Sequence, residues 1–162
     1  MQRPFVHKTD SGWDSVTREG YAEDRSTQVV RNTIVGHRKD SQHEDGPSLE
    51  LRYFEIPPGA TTRLERHEHE HIVIGGEGEG HAIVGTEVRA VRPHDVVYVA
   101  ALQPHQFVNR AETTFGFYCV VPADRDRGVP PTEEQLEALL DSPAATYVDR
   151  TNMPPTSRGP TA

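Results

Sequence analysis

The chain has 162 residues, a length that favours one domain, and its low apolar content of 34% comes from polar ends around a richer middle. A formal net charge of −8 argues against nucleic acid or an anionic membrane surface as a partner. No apolar run approaches the ~20 residues that span a bilayer, and no apolar signal segment opens the chain. A single cysteine excludes an internal disulfide, so we expect a cytoplasmic protein.

The first part of the chain, residues 1–28, is polar with scattered aromatic side chains. This composition predicts an arm rather than a domain. Such an arm either lies across a neighbouring subunit or forms a partly ordered tail. We expect a homodimer, because cyclic dimers are the commonest soluble assemblies, with the arm crossing to the barrel of the partner.

Residues 29–130 contain short apolar segments separated by Gly, Pro and Asp, a pattern that predicts an antiparallel sandwich or barrel. Cys119 lies in the last of these segments and is predicted to pack in the core. The predicted strands cover residues 29–36, 49–56, 81–84, 87–91, 96–100, 106–109 and 115–121.

Residues 131–150 predict a C-terminal helical segment. Thr132 and Gln135 have the spacing of a capping box, and an apolar stripe of leucines follows them. The helix should end near Ser142 and pack on the outside of the strands. Residues 151–162 are rich in Pro, Thr, Ser and Gly, which predicts a disordered tail.

Three histidines occupy alternate positions, His67, His69 and His71, immediately before an apolar run and a glycine-rich turn. On a strand, alternate side chains point to one face, so this spacing predicts imidazoles on a common side. Neutral imidazole is the commonest protein ligand for zinc, iron, nickel and copper. The alternative is a solvated polar strand. The density of histidines beside a buried-looking strand favours a metal site.

Two motifs in the right order resemble those of the cupin family, over roughly residues 49–122. Gly59 and Gly78 match the ends of the first cupin motif. The resemblance implies a small jelly-roll β-barrel, in agreement with the all-β pattern of strands. The second motif is matched by Pro93, Asp95, Pro104, His105 and Asn109.

The resemblance implies a metal-ligand set, but two alignments of the first motif remain open. Counting from the two glycines without a gap places Glu65, His67 and His71 in the ligand positions, and His105 joins them from the second motif. On a straight strand, the Cα atoms of His67 and His71 would be roughly 13 Å apart, so a turn must bring them together. His69 would then lie in the turn or above the site. The gapped alternative makes His67, His69 and His105 the main ligands.

A mixed nitrogen and oxygen site suits Fe²⁺, Mn²⁺, Ni²⁺, Zn²⁺ or Cu²⁺, and the sequence does not choose among them. The resemblance implies a metal-dependent enzyme acting on a small oxygenated organic molecule, with a dioxygenase as the favoured hypothesis. The alternatives are an isomerase, cyclase or lyase that uses the ion as a Lewis acid, and a non-catalytic small-molecule binder. The full set of candidate ligands favours an enzyme.

Overall fold

The structure is a computed structural model that describes residues 4–21, 28–39 and 45–156. These residues form eleven strands, one α-helix and one 3₁₀ turn, which confirms the all-β prediction with a short C-terminal helix. The elements are β1 (Lys8–Thr9), β2 (Gly12–Trp13), β3 (Arg18–Gly20), β4 (Val30–Val35), β5 (Leu49–Ile56), β6 (His71–Glu77), β7 (Gly80–Val84), β8 (Glu87–Val91), β9 (Val96–Val99), β10 (His105–Val108), β11 (Phe115–Pro122), α1 (Glu133–Leu140) and the 3₁₀ turn Pro143–Thr146.

Two antiparallel sheets make up the body of the protein. The larger has six strands in the order β3-β4-β5-β11-β6-β9, and the smaller has three in the order β10-β7-β8. β11 lies between β5 and β6 and is apolar along most of its length, as expected for a strand with neighbours on both sides. The predicted strands recur with boundaries that agree within one residue.

The main core lies between the two sheets. Phe54 and Phe117 come from the larger sheet, and Ala82 and Phe107 come from the smaller one. The rings of Phe54 and Phe117 stack with their centroids 5.3 Å apart. Burial of each such side chain stabilises the fold by about 1.5–3 kcal/mol. This core forms one wall of the cavity described below.

The opposite face of the smaller sheet carries the helix. Ile83 and Val108 alternate with core residues along their strands, so they point away from the core and pack with Leu139 of α1. The predicted capping box is confirmed. Thr132 Oγ1 accepts from the backbone N–H of Gln135 at 3.2 Å, and Gln135 Oε1 accepts from the N–H of Thr132 at 3.1 Å. The helix therefore covers the outside of the sheet, as predicted.

The described part of the N-terminal arm packs on the sheet of its own chain. β3 pairs with β4, and the ring of Trp13 lies 4.7 Å from that of Tyr53, centroid to centroid. The sequence predicted an arm that crosses to a partner, and it predicted no strands there. Residues 1–3 and 22–27 of the arm and 157–162 of the tail lie outside the described residues. Over the described part of the chain, no helix is long and apolar enough to cross a membrane.

Candidate metal centre and the cavity around it

Of the three alternating histidines, only the last, His71, lies on a strand. β6 begins at His71, and the chain bends at residues 68 and 69. The expectation that the three imidazoles share the face of one strand is therefore wrong, and the turn required by the ungapped alignment is present. Glu65 and His105 exchange backbone hydrogen bonds of 3.2 and 2.9 Å. This bridge brings the two motifs of the sequence together.

The structure brings all five sequence-predicted site residues to one cavity: Glu65, His67, His69, His71 and His105. The ring centroid of His67 lies 3.6 Å from that of His69, 4.4 Å from that of His71 and 4.7 Å from that of His105. Two groups each place their ligand atoms within 4.8 Å of one another, His67 with His69 and His71, and His67 with Glu65 and His105. His67 belongs to both groups and is the centre of the cluster.

Hydrogen bonds orient two of the rings with one nitrogen toward the cluster. Nδ1 of His67 donates to the carbonyl of His69 at 2.8 Å, and Nδ1 of His105 donates to the carbonyl of Gln103 at 2.9 Å. A carbonyl can only accept, so in the neutral ring the proton is on Nδ1 and Nε2 keeps its lone pair. Nε2 of His67 is buried and has no hydrogen-bond partner among the described residues. An open lone pair in that position suits a metal ion.

His69 is held by a carboxylate. Its Nδ1 donates to Oδ1 of Asp126 at 2.7 Å, and the Asp126 carboxylate also accepts from the backbone N–H of Glu68 at 2.8 Å. Burial opposes the ionisation of Asp126, but these hydrogen bonds outweigh it and lower the pKa of its carboxyl. Nε2 of His69 is left 3.1 Å from Nε2 of His71. Asp126 therefore fixes the orientation of the His69 ring, whose role the sequence left open.

Glu65 is the carboxylate of the cluster. Its Oε1 accepts from the Tyr21 hydroxyl at 2.9 Å. Burial raises the pKa of Glu65, against the opposing effects of the Tyr21 hydrogen bond and His67. Burial and the Glu65 charge together raise the pKa of Tyr21 well above its usual value. The tyrosine thus remains a hydrogen-bond donor across the physiological range.

Burial keeps the four imidazoles neutral. It lowers the pKa of His67, His69 and His105 to about 4, and it lowers that of His71 well below the usual value, with the neighbouring His105 second in effect. A metal ion competes with protons for the same lone pairs. The donor set therefore fits a divalent transition ion at neutral pH, because no imidazolium has to lose its charge before the ion binds.

The cavity above the cluster has a volume of about 560 Å³ and a strongly cationic wall. Among its described lining residues, Glu65 is the single carboxylate. Six arginines line the same cavity: Arg31, Arg38, Arg52, Arg63, Arg125 and Arg127. Since the imidazoles are neutral, the lining carries an excess of positive charge in a chain whose formal net charge is −8. The cavity is therefore suited to an anionic small molecule.

Cys119 packs in the core, as predicted, but it also reaches the cavity. Its Sγ lies 3.2 Å from Nη2 of Arg52 and 3.7 Å from Nδ1 of His71. The Cys119 thiol thus lies between the guanidinium of Arg52 and the ring of His71.

The sequence prediction missed Tyr21, Arg52 and Asp126. One signal for Arg52 was available, because it shares a face of β5 with the apolar Phe54 and Ile56, and a charged residue at such a position needs a reason. Tyr21 and Asp126 lie in the arm and in the loop after β11, where no local pattern indicates proximity to the histidines.

Comparison with known proteins agrees with this geometry. The Cupin domain family matches residues 52–121. A protein of Rhodospirillum rubrum named 1-methylthio-D-xylulose 5-phosphate methylsulfurylase is 38% identical over 151 residues, covering 91% of each chain. This chain belongs to the cupin family.

Two solved cupin structures support the assignment. A cupin-2 domain from Rhodospirillum rubrum is 37% identical with a TM-score of 0.72, over 89% of this cupin and 95% of that chain. A cupin 2 conserved barrel domain protein from Rhodopseudomonas palustris is 31% identical with a TM-score of 0.75, over 89% and 98% of the two chains. The jelly-roll barrel implied by the motifs is thereby confirmed.

Motif residues outside the predicted metal-ligand set, such as Gly78 and Asn109, stabilise the turns of the cupin fold. Gly78 has a φ of 63°, and a Cβ there would lie 2.1 Å from the carbonyl oxygen of Thr114, so a larger residue does not fit. Nδ2 of Asn109 donates to the carbonyls of Ile56 and Thr113, both at 2.8 Å. These contacts fix the loops on either side of the sheets that carry the histidines.

Proposed function

We propose that this cupin is a metal-dependent enzyme that acts on a methylthio-substituted pentulose 5-phosphate. The observation that carries the proposal is a single cavity lined by four neutral imidazoles and six arginines. A phosphorylated thio-sugar presents an oxygenated end for a metal and an anionic end for guanidinium groups. The relative named as a methylsulfurylase, which matches along 91% of this chain, supports this class of substrate.

For the metal we propose His67, His71 and His105 as ligands, with Glu65 completing the set. This is the ungapped alignment, and the turn at residues 68 and 69 supports it. Glu65, His67 and His105 also place ligand atoms within 4.8 Å of one another. The ion is one of Fe²⁺, Mn²⁺, Ni²⁺, Zn²⁺ or Cu²⁺, all of which accept nitrogen and oxygen ligands.

His69 is the alternative to Glu65 as the fourth ligand. A histidine that donates through one nitrogen to a carboxylate and offers the other to a shared centre is the usual arrangement of a metal ligand. The 2.7 Å bond from His69 to Asp126 has this form. The fourth ligand is the residue whose removal lowers metal affinity, so Glu65→Ala and His69→Ala distinguish the two assignments.

A metal ion bound there would polarise a substrate oxygen as a Lewis acid. The residues of the chain supply the rest. Asp126 holds the His69 ring in place, and Tyr21 holds the Glu65 carboxyl. Because burial raises the pKa of Glu65, this carboxyl is the group best suited to hold a proton beside the substrate if it is not a metal ligand. Phe54, Phe107 and Phe117 form an apolar wall that excludes water.

A dioxygenase, the hypothesis favoured by the sequence, is a second use of the same metal centre, as are the isomerase, cyclase and binding alternatives. The decisive assay incubates metal-loaded protein with 1-methylthio-D-xylulose 5-phosphate and a small thiol as sulfur acceptor, with and without oxygen. We expect equal turnover in both, abolished by chelator. Oxygen uptake in step with turnover would favour the dioxygenase. Binding without turnover under any condition would favour the binder.

We also propose a homodimer, supported by the exposed edge of the larger sheet. β9 is the last strand of that sheet, and Ile72, Val96 and Tyr98 on β6 and β9 are 46%, 66% and 56% exposed. An apolar sheet edge left open invites pairing with another chain. Light scattering at micromolar concentration should give twice the mass of the chain, and a monomeric mass would exclude the dimer.

A further inference from the structure

Arg52 is a buried cation without a carboxylate hydrogen bond among the described residues. It is 7% exposed and lines the cavity, and its Nε is buried without a hydrogen-bond partner in the described part of the chain. Its Nη2 lies 3.2 Å from the thiol of Cys119, and its guanidinium carbon lies 5.1 Å from the ring centroid of Phe54. Burial of a guanidinium is costly unless an anion joins it.

Two further arginines from other parts of the chain, Arg38 and Arg127, line the same cavity as Arg52. Arg38 donates to the backbone carbonyls of Arg125 and Asp126 at 2.8 and 3.2 Å, which fixes its guanidinium at the cavity wall. Burial lowers the pKa of Arg38, and the positive charges of Arg127 and Arg52 lower it further. Like charges that repel one another across a cavity form a site for an anion.

Arg125 differs from Arg38, Arg52 and Arg127 because it forms an ion pair with a carboxylate. Its Nη1 lies 2.6 Å from Oε2 of Glu50, and both side chains are almost wholly buried. The Glu50–Arg125 pair therefore belongs to the fold. Arg38, Arg52 and Arg127 form no ion pair with a carboxylate among the described residues, although the charge of Glu50 acts on Arg38 and Arg52 from a longer distance.

We propose that Arg38, Arg52 and Arg127 form the subsite that binds the phosphate group of the substrate. The inference rests on the proposed function for the identity of the substrate, but the anion site stands on the geometry alone. Planar guanidinium groups bind phosphate oxygens through paired charged hydrogen bonds, which a lysine does not reproduce.

The subsite also fixes the direction in which the substrate lies. Cys119 contacts both Arg52 and His71, at 3.2 and 3.7 Å, so Arg52 lies close to the histidine cluster. A pentulose whose phosphate contacts the arginines presents its oxygenated end to the histidines. The arginines are binding and orienting residues, because they do not touch the reacting atoms.

The test measures binding of D-xylulose 5-phosphate and of unphosphorylated D-xylulose to the full chain by calorimetry at low salt. We expect the phosphate ester to bind at least about 10-fold more tightly, with an affinity that falls as salt is added. Arg127→Gln should weaken the ester by about 10-fold or more and leave the free sugar unchanged. Arg52→Gln should have a larger effect, and Arg52→Lys should not restore the affinity.

Arg89→Gln is the matched control. Arg89 is an exposed arginine of β8 that pairs with Glu87 and does not line this cavity. Its substitution removes the same charge as Arg127→Gln. We expect it to bind the ester like the unaltered protein. Because Arg127 is exposed, its variant tests the proposal even if Arg52→Gln does not fold.

The outcomes separate this proposal from the proposed function. A wild-type protein that binds ester and free sugar equally, or an Arg127→Gln variant that matches Arg89→Gln, overturns the phosphate subsite. Arginine-dependent binding of the ester, together with no turnover of the methylthio substrate, supports the subsite and counts against the proposed reaction. Turnover with a KM that neither Arg52→Lys nor Arg127→Gln changes supports the reaction and overturns the subsite.

Discussion

The histidine cluster and Arg52 are both buried polar groups of the cavity, yet they meet the cost of burial in opposite ways. The imidazoles lose their charge, since burial lowers the pKa of His67 and His105 to about 4. Arginine cannot deprotonate in this way, so Arg52 remains a cation at 7% exposure. A neutral cluster with open lone pairs suits a cation, and a charged cluster without carboxylates suits an anion. One cavity thus contains groups suited to a metal ion and groups suited to an anion.

The largest expected effect comes from the residue shared by both ligand groups. Loss of an orienting partner of a ligand typically lowers metal affinity by about 10–100-fold, so His67→Ala should lower it by at least about 100-fold. His7→Ala is a control, because His7 is exposed and lies in the arm. Competition with a chelator of known affinity measures both variants. Equal metal affinity in the two would remove His67 from the site.

The fourth ligand is decided by a pair of variants. In the ungapped assignment, Glu65→Ala lowers metal affinity sharply, whereas His69→Ala keeps the metal and His71→Ala loses it. The gapped assignment reverses the first two results. Asp126→Asn adds a check, since it weakens the anchor of His69 and should change metal affinity only if His69 is a ligand. Elemental analysis of the purified variants provides the readout.

Two buried arginines should respond oppositely to the same substitution. Arg125→Met leaves Glu50 buried without its 2.6 Å partner, and breaking a buried pair costs about 3–5 kcal/mol. Arg52→Met removes a cation that has no such pair among the described residues, so the free energy of unfolding should stay within about 1 kcal/mol or rise. Urea unfolding of the metal-free proteins measures both. A large loss of stability in Arg52→Met would give that arginine a structural role instead.

Acidification should destabilise the metal-free protein between about pH 6.5 and pH 4. The unfolded chain binds protons on its histidines below about pH 6.5, whereas His67, His69 and His105 bind them in the folded state only near a pKa of about 4. The unfolded state therefore gains protons first, and stability falls by up to about 1.4 kcal/mol per pH unit for each histidine. Thermal unfolding from pH 7 to 5 tests this. The slope should be smaller in His67→Ala.

The smallest expected effect is a loss of stability in α1 that leaves metal and ligand binding unchanged. Thr132→Ala removes the side-chain acceptor of the capping box and should cost about 1 kcal/mol of stability. α1 packs on the outer face of the smaller sheet, away from both clusters. Metal affinity and binding of D-xylulose 5-phosphate should therefore be unchanged. A change in either would mean that the helix influences the cavity through the sheet.

The histidine cluster could be predicted from the sequence because its members are close together in the chain. Four of its five residues fall within positions 65–71, and a second motif supplies His105. The orientation of His69 could not be predicted, because Asp126 reaches it from a loop 57 positions away. The strands were predictable from their apolar pattern and turns, but the short strands of the polar arm lack that pattern.

The arginine cluster was beyond prediction for the same reason. Arg38, Arg52 and Arg127 come from the segment after β4, from β5 and from the loop after β11, and each alone resembles a surface charge. The pairing of β5 with both β4 and β11 brings these segments together. The charge at the inward-facing position of Arg52 was a local signal of a functional role, but it does not indicate which other arginines line the same cavity.

The central claim is that the buried, neutral histidine cluster binds a transition-metal ion. Elemental analysis of protein expressed with metal supplied, and purified without chelator, tests it most directly. We expect about one ion per chain, reduced to a small fraction in His67→Ala and retained in His7→Ala. A folded wild-type protein that contains no transition metal under those conditions would contradict it.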